Sequence, residues 1–480
     1  MSEHECRAFI AAANALATAD RVEAERELVR IRTSAHARGI AREVLSRGDS
    51  SVSLDAAFHA SVMYRAAVLR DWGGLTAHER EDARDFALSW TLTSVQAPSV
   101  VRKSMSDACA VFLKRACVDA DDSGKMAMLH ATEARVQAMG GSADAAVIGL
   151  GVYAALVSEF APGTASALGC SWEKHEQSRA SAEKNILKPF FTHGVNAAKA
   201  WSAKVGDGSD HGACAGALLL MNGVLNWDFN RDVSYGFRGR AFPSTESAAN
   251  AFVRLTPGIE WREILLAPGA LDWLYELHAS AENAALASGS MEAKRVAAAS
   301  RKTLSALCTL SGCVFPPKDA DDSLRVGHFV RCARAIASYL LPASKSVHAA
   351  IEGYGEDALI DGCRSLYALA SVHEAQDFAA VSLGADLNKT ALDVLGELTL
   401  ECLNQDALSV HAEGTVVDEC LKMLLESWGA LVNKGMFAPG GTEVATPVAI
   451  LEGAAKVSQA YILAGLKAAR DGAHEEDDGH

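Results

Sequence analysis

The chain has 480 residues, 49% of them apolar and only 6% aromatic, and its formal net charge is -15. That acidity, without a basic patch or aromatic-interleaved stripe, argues against nucleic acid as a partner. Eleven cysteines, odd in number and scattered singly, argue against a secreted disulfide framework and for reduced thiols in cytosol or nucleus.

The start, Met1 to Cys6, has no basic region followed by an apolar one, so no secretory signal is expected. From about Leu54 to Leu466 the alanine-rich chain reads as successive amphipathic helices, with no run of alternating β-branched residues. In Ala56–Trp72 the expected buried stripe is Phe58, Val62, Ala66 and Leu69; Gly73 and Gly74 end that helix. Thr76-Ala-His-Glu79 is a capping box. Pro98 precedes a helix whose core stripe is Val101, Met105, Ala108 and Phe112. The apolar run Ala145–Val157 is too short to cross a bilayer and is broken by Gly149 and Gly151, so no membrane is expected. Thr390 and Thr415 open two further helices, with stripes Leu392, Leu395, Leu398, Cys402 and Val417, Leu421, Leu424, Trp428, Leu431.

Helices of similar length joined by short polar turns pack antiparallel with their neighbours. A pair plus its turns spans roughly 40 residues, giving about ten or eleven pairs in the chain. The expected fold is therefore all-α, a right-handed α-solenoid of HEAT-type helix pairs (an ARM/HEAT superhelix). The divisions are 1–205, 206–470 and an acidic, disordered tail at 471–480. Loops are expected at Gly206–Gly212, Asn230–Ser244 and Leu310–Asp322.

Several motifs suggest chemistry without its context. Gly149-Leu-Gly151-Val-Tyr-Ala154 matches a dinucleotide fingerprint but lacks the strand and βαβ setting, so it reads as close helix packing. Asp119-Ala-Asp121-Asp122-Ser123-Gly124 opens like a calcium loop, yet its twelfth position is His130 and not Glu. Asp319–Ser323 lacks the glycine as well. Both read as polar turns. Cys308 and Cys313 have no second pair at zinc spacing. No metal, no cofactor and no enzymatic activity is expected.

Six segments in order carry a resemblance. They are Phe58–Trp72; Ala155-Leu-Val-Ser-Glu-Phe160 with Gly169–His175; Val224-Leu-Asn-Trp-Asp-Phe229; Trp261-Arg-Glu-Ile-Leu-Leu266; Leu307–Pro316; and Leu424-Leu-Glu-Ser-Trp428. Together they resemble the importin-β-like nuclear transport receptors, and within that family the exportin-4 branch. Members of that branch are more than twice as long, so the chain is expected to be a fragment or a shortened relative lacking the carboxy-terminal arch. Its last repeat, around Thr446–Leu466, is then expected to expose an apolar face.

The resemblance implies a carrier that shuttles between nucleus and cytoplasm and binds Ran-GTP together with a protein cargo. In that branch the cargo is the hypusine-containing translation factor. It also implies contacts to Phe-Gly nucleoporins in clefts between outer helices, which Trp227, Trp261 and Trp273 are candidates to line, although buried packing between repeats is the stronger reading for each. In the family Ran lies on the inner helices of the first repeats, here Ala35–Ser46, Asp82–Thr93, Leu129–Met139 and Glu173–Lys199. The polar residues of those segments chosen as Ran contacts are Arg38, Arg42, Asp82, Arg84, Glu133, Arg135 and Lys174. A HEAT scaffold that does not sense nucleotide state is the alternative; it predicts equal behaviour toward Ran-GTP and Ran-GDP.

Overall fold

The computed structural model describes residues 3–16, 21–47, 52–139, 141–161, 168, 171–202, 211–229, 254–267, 269–270, 272–318, 321–340, 347, 355–405, 415–436 and 448–477. Among these the chain is all-α, with no β-strand and two isolated bridges, Leu255 with Leu310 and Ser382 with Thr390. It divides into two compact units. Unit 1 is Met1–Trp201 with Gly212–Val224, and unit 2 is Ser202–His211 with Leu225–His480.

Unit 1 holds α1 (Glu3–Ala15), α2 (Arg21–Thr33), α3 (Ala37–Arg47), α4 (Leu54–Asp71), α5 (Ala77–Thr93), α6 (Ser99–Asp119) and α7 (Asp122–Gln137). They are followed by α8 (Ala143–Phe160), α9 (Trp172–Asn185), α10 (Leu187–Ser202) and most of α11 (His211–Leu225). Each of α3 and α5 packs on its successor, while α4 stacks on α6 and α6 on α8. The row extends to α11, whose Gly216 and Gly223 face Leu150 and Val157 of α8. Neighbours therefore pair in sequence and stack two helices apart.

Local chemistry sets these boundaries. Thr76 accepts from the Glu79 amide while the Glu79 carboxylate accepts from the Thr76 amide, closing the expected capping box. Asp121 accepts from the Gly124 amide at 2.7 Å and starts α7, so the calcium-like segment is an inter-helix turn. Gly149 lies inside α8: a Cβ there would stand 2.6 Å from Val136 Cγ1, and only glycine admits α7 so closely. Val101, Met105, Ala108 and Phe112 are fully buried, as their spacing predicts.

On α4 the expected stripe is rotated. The buried face is Ala56, Ala60, Met63, Tyr64, Ala67 and Val68, whereas Phe58, Val62 and Leu69 are half-buried and Ala66 is exposed. This helix is apolar almost all round, so periodicity leaves its orientation open. The three alanines allow close approach, and Tyr64 goes inward because its hydroxyl donates to the Ala83 carbonyl at 3.3 Å and its ring meets Phe86 and Phe112 edge-on.

Unit 2 contains α12 (Arg262–Leu266), α13 (Asp272–Ser288), α14 (Met291–Leu307), α15 (Ser323–Ala335), α16 (Glu356–Val372) and α17 (Ala375–Ala380). After these come α18 (Ala391–Gln405), α19 (Val416–Met436) and α20 (Val448–Asp477). Here α13 packs on α14, α14 on α16, α16 on α19, and α18 on both α19 and α20. Both carboxy-terminal stripes are buried as expected, with Leu395, Cys402, Leu424 and Leu431 at 0% exposure. Trp428 donates to Thr399 Oγ1 at 3.2 Å, and Gly453 of α20 sits directly under its ring. Lys434 Nζ closes the end of α16 by donating to the carbonyls of Ala370 (2.8 Å) and His373 (2.7 Å).

Leu310–Asp322 holds a 3-10 turn at Gly312–Val314, and Asp321 and Asp322 engage Ser323 and Arg325. The expected loop at Asn230–Ser244 lies outside the described residues, and in Gly206–Gly212 those described, His211 and Gly212, open α11. The backbone of α20 stays helical through Asp477, inside the segment read as an acidic tail; Ala, Lys, Arg and Glu are all good helix formers. Its outward side shows Leu451, Tyr461, Ile462, Leu463 and Leu466.

Candidate partner-binding face

The polar residues chosen from sequence fall, except Lys174, on α3, α5 and α7 of unit 1, a row that α10 continues. Each helix of this row reaches the next through side chains. Arg38 donates to Glu79 at 3.2 Å. Arg42 forks onto both oxygens of Asp82, the longer bond being 3.1 Å, and its guanidinium lies 4.6 Å from the Phe86 centroid. Held by the Asp82 carboxylate, Arg42 is pushed above its ordinary range despite partial burial. Trp90 Nε1 donates to the Leu45 carbonyl at 2.8 Å and fixes the distance between α3 and α5.

The row continues from α5 to α7, where Arg135 donates to Asp85 at 3.0 Å and to Ser89. From α7 it passes to α10: Glu133 meets His193 Nε2 at 2.6 Å, and Tyr153 of α8 stacks on the same imidazole. Arg38, Arg42, Asp82, Glu133 and Arg135 thus belong to one ladder of cross-helix pairs. Arg84 is half-buried between α5 and α7 with its guanidinium against the Met128 sulfur. Lys174 stands exposed on α9, apart from the ladder.

The ladder also uses Glu79, Asp85, Ser89 and His193, which the sequence reading passed over. Glu79 is visible in sequence as a capping residue, and its second oxygen serves Arg38. Its carboxyl is held below the usual range by the Thr76 amide first, then by the Thr76 hydroxyl and Arg38. Asp85 lies one turn beyond Asp82, on the face that a helical wheel assigns to Asp82. His193 had no local signal, because its partner is 60 residues earlier.

Chemically, such a surface offers charged donors and acceptors in register on rigid helices, a form suited to protein recognition. The tryptophans considered for apolar clefts behave differently. Trp227 and Trp261 are buried, the latter edge-on to Phe229, and Trp273 is half-buried with its indole N–H on Ala270. The first two cannot line an open cleft in this conformation. No known family model matches the chain.

Proposed function

We propose that this chain is a nuclear export receptor of the exportin-4 type, built as a right-handed HEAT-type solenoid. It binds Ran-GTP and a protein cargo cooperatively and carries the cargo through the nuclear pore, meeting Phe-Gly nucleoporins on the way. The observation that carries the reading is the sequential pairing and two-apart stacking of α3 to α8, with polar side chains aligned along one row. A stacked array suits the role because small rotations between pairs change its curvature, and two ligands that favour one curvature are coupled. A coupling of about 1–3 kcal/mol changes cargo affinity on the order of 5- to 150-fold.

The alternative, a HEAT scaffold without nucleotide sensing, is favoured by one observation: the ladder residues already satisfy each other. One experiment separates the two. The chain is offered Ran loaded with non-hydrolysable GTP or with GDP. Retention of the GTP form alone supports the receptor; equal or absent retention supports the scaffold. Arg38→Glu with Arg42→Glu then tests the row, beside a swapped variant that adds Glu79→Arg and Asp82→Arg. A contact surface loses Ran in both variants, whereas a purely structural ladder recovers in the swap.

A further inference from the structure

In unit 2, α20 packs on α18 and α19 through one narrow seam. Ile450, Val457 and Ala464 are buried there; they recur every seventh residue and so stand in one line along the helix. The side turned away from that seam is apolar as well. It shows Val448, Leu451, Ala455, Ile462 and Leu466, all exposed, the four large ones at 68%, 47%, 61% and 63%. An ordinary surface helix carries charged or polar residues on that side. A second apolar line, open to water over several turns, marks a site of association.

The pattern of this line selects what fits it. Leu451, Ala455, Ile462 and Leu466 follow at intervals of four, seven and four residues, which read the same from either end. Laid antiparallel on itself, about a two-fold axis between Ser458 and Gln459, the line sets Leu451 against Leu466 and Ala455 against Ile462. Such self-complementarity is what an isologous contact requires. The charges select the same arrangement. Glu452, Lys456 and Lys467 lie along one flank of the line, exposed, and none of them forms an ion pair among the described residues. The other flank, with Ala454, Ser458 and Gly465, carries no charge and lets backbones approach. In an antiparallel pair like flanks face each other, which sets Glu452 within a turn of the second copy's Lys467 at both ends. A parallel pair sets the charged flank against the uncharged one and makes no such bridge.

We infer that α20 docks antiparallel on α20 of a second copy of this chain, forming a reversible two-fold homodimer. Val448–Leu466 is about 28 Å of helix. One helix pair of that length buries less than the roughly 1,200 Å² at the lower end of stable interfaces. The dimer therefore exchanges with monomer and is half-formed at a concentration on the order of 10 µM. This contact involves unit 2 alone and holds whether or not the row in unit 1 binds Ran.

Sedimentation equilibrium of the whole chain, from about 2 to about 200 µM, is the test. The expected mass rises with concentration from 50.6 kDa toward twice that value and no further. Ile462→Glu with Leu466→Glu places carboxylates in the contact and keeps the chain monomeric throughout. Its circular dichroism and melting curve stay those of the parent, because both positions face water. Lys467→Glu alone weakens the dimer severalfold by opposing Glu452, and adding Glu452→Lys restores it. A chain still monomeric at about 200 µM overturns the proposal. So does a mass that grows past the dimer, the mark of an open, unsymmetric contact. A dimer that survives Ile462→Glu with Leu466→Glu uses another surface and overturns it too. The antiparallel pairing falls if Lys467→Glu changes nothing, or if the double reversal stays as weak as the single one. Should the Ile462→Glu, Leu466→Glu chain misfold, the Lys467 series decides the matter without it.

Discussion

Unit 1 and unit 2 each join neighbouring helices through arginine and carboxylate, but in opposite surroundings. On the α3–α5 seam Arg42 and Asp82 are 42% and 48% exposed. Among α13, α14 and α16, Arg301 and Asp361 are 8% and 9% exposed, with Glu282 and Arg364 completing the group. An exposed pair gains little in water and stays available to a partner. A buried one has already lost its hydration, so its members depend on each other. The same residue types therefore stand open to water in one place and are buried in packing in the other.

The comparison breaks most visibly at Asp361. Replacing it with Ala leaves the Arg301 guanidinium buried with Glu282 alone, and unit 2 should lose about 3–5 kcal/mol. Urea unfolding followed by circular dichroism reads the loss; a change below about 1 kcal/mol, the scale of a surface pair, would erase the distinction. Desolvation raises the Asp361 carboxyl above its usual range even beside two arginines, which shows how much hydration it has given up.

A second test concerns close packing in unit 1. Gly149→Val drives a side chain into Val136, which has 2.6 Å to offer a Cβ, and should cost about 1–3 kcal/mol in thermal unfolding. The nearby Gly151 meets nothing within 4 Å, so Gly151→Ala should be neutral or mildly stabilising. Equal effects at the two positions would mean that α7 and α8 do not approach as described.

A third test uses pH. His373, buried at the end of α16, is held well below the ordinary imidazole range by burial first, then by His328, Arg325 and Lys434. The unfolded chain takes up a proton at this position near about pH 6.5, and the folded chain only at lower pH. The stability is therefore complete above about pH 6.5 and is lost on acidification, by at most about 1.4 kcal/mol per pH unit. His328 contributes in the opposite sense, since its folded value is raised. The quantity to measure is thus the difference in slope between the parent chain and His373→Phe. Identical slopes would mean that the folded chain takes up a proton at His373 as readily as the unfolded one.

These tests also mark what was legible in the sequence. The capping box at Thr76 and the helix start at Thr390 are local, spanning one turn, and were readable. So were the stripes on α6, α18 and α19, where one face is clearly apolar. On α4 the apolar residues run nearly round the helix, and only the burial of Tyr64 with its carbonyl partner decides the orientation. At the candidate face, the row of helices followed from repeat position, but pairing did not. Arg38 reaches Glu79, 41 residues away, and Arg135 reaches Asp85, 50 away, by a register that side-chain spacing along one helix does not contain. Arg84 shows the same limit: it is two residues from Asp82 and so faces another direction, toward the α7 seam.

The smallest expected loss of stability belongs to Asp82→Asn. The side chain keeps its shape and one hydrogen-bonding oxygen for Arg42, and the pair is open to water, so the loss should be at most about 1 kcal/mol and fall with added salt. Arg42 still has the Phe86 ring beneath it to hold its orientation. If the row is a recognition surface, the consequence for binding is of another order. A guanidinium released from its carboxylate changes the charge presented to a partner, and retention of Ran-GTP should shift severalfold while the melting curve barely moves. If both move together, or binding stays constant, the ladder is a brace between helices and the exposed pairs of unit 1 differ from the buried ones of unit 2 only in strength.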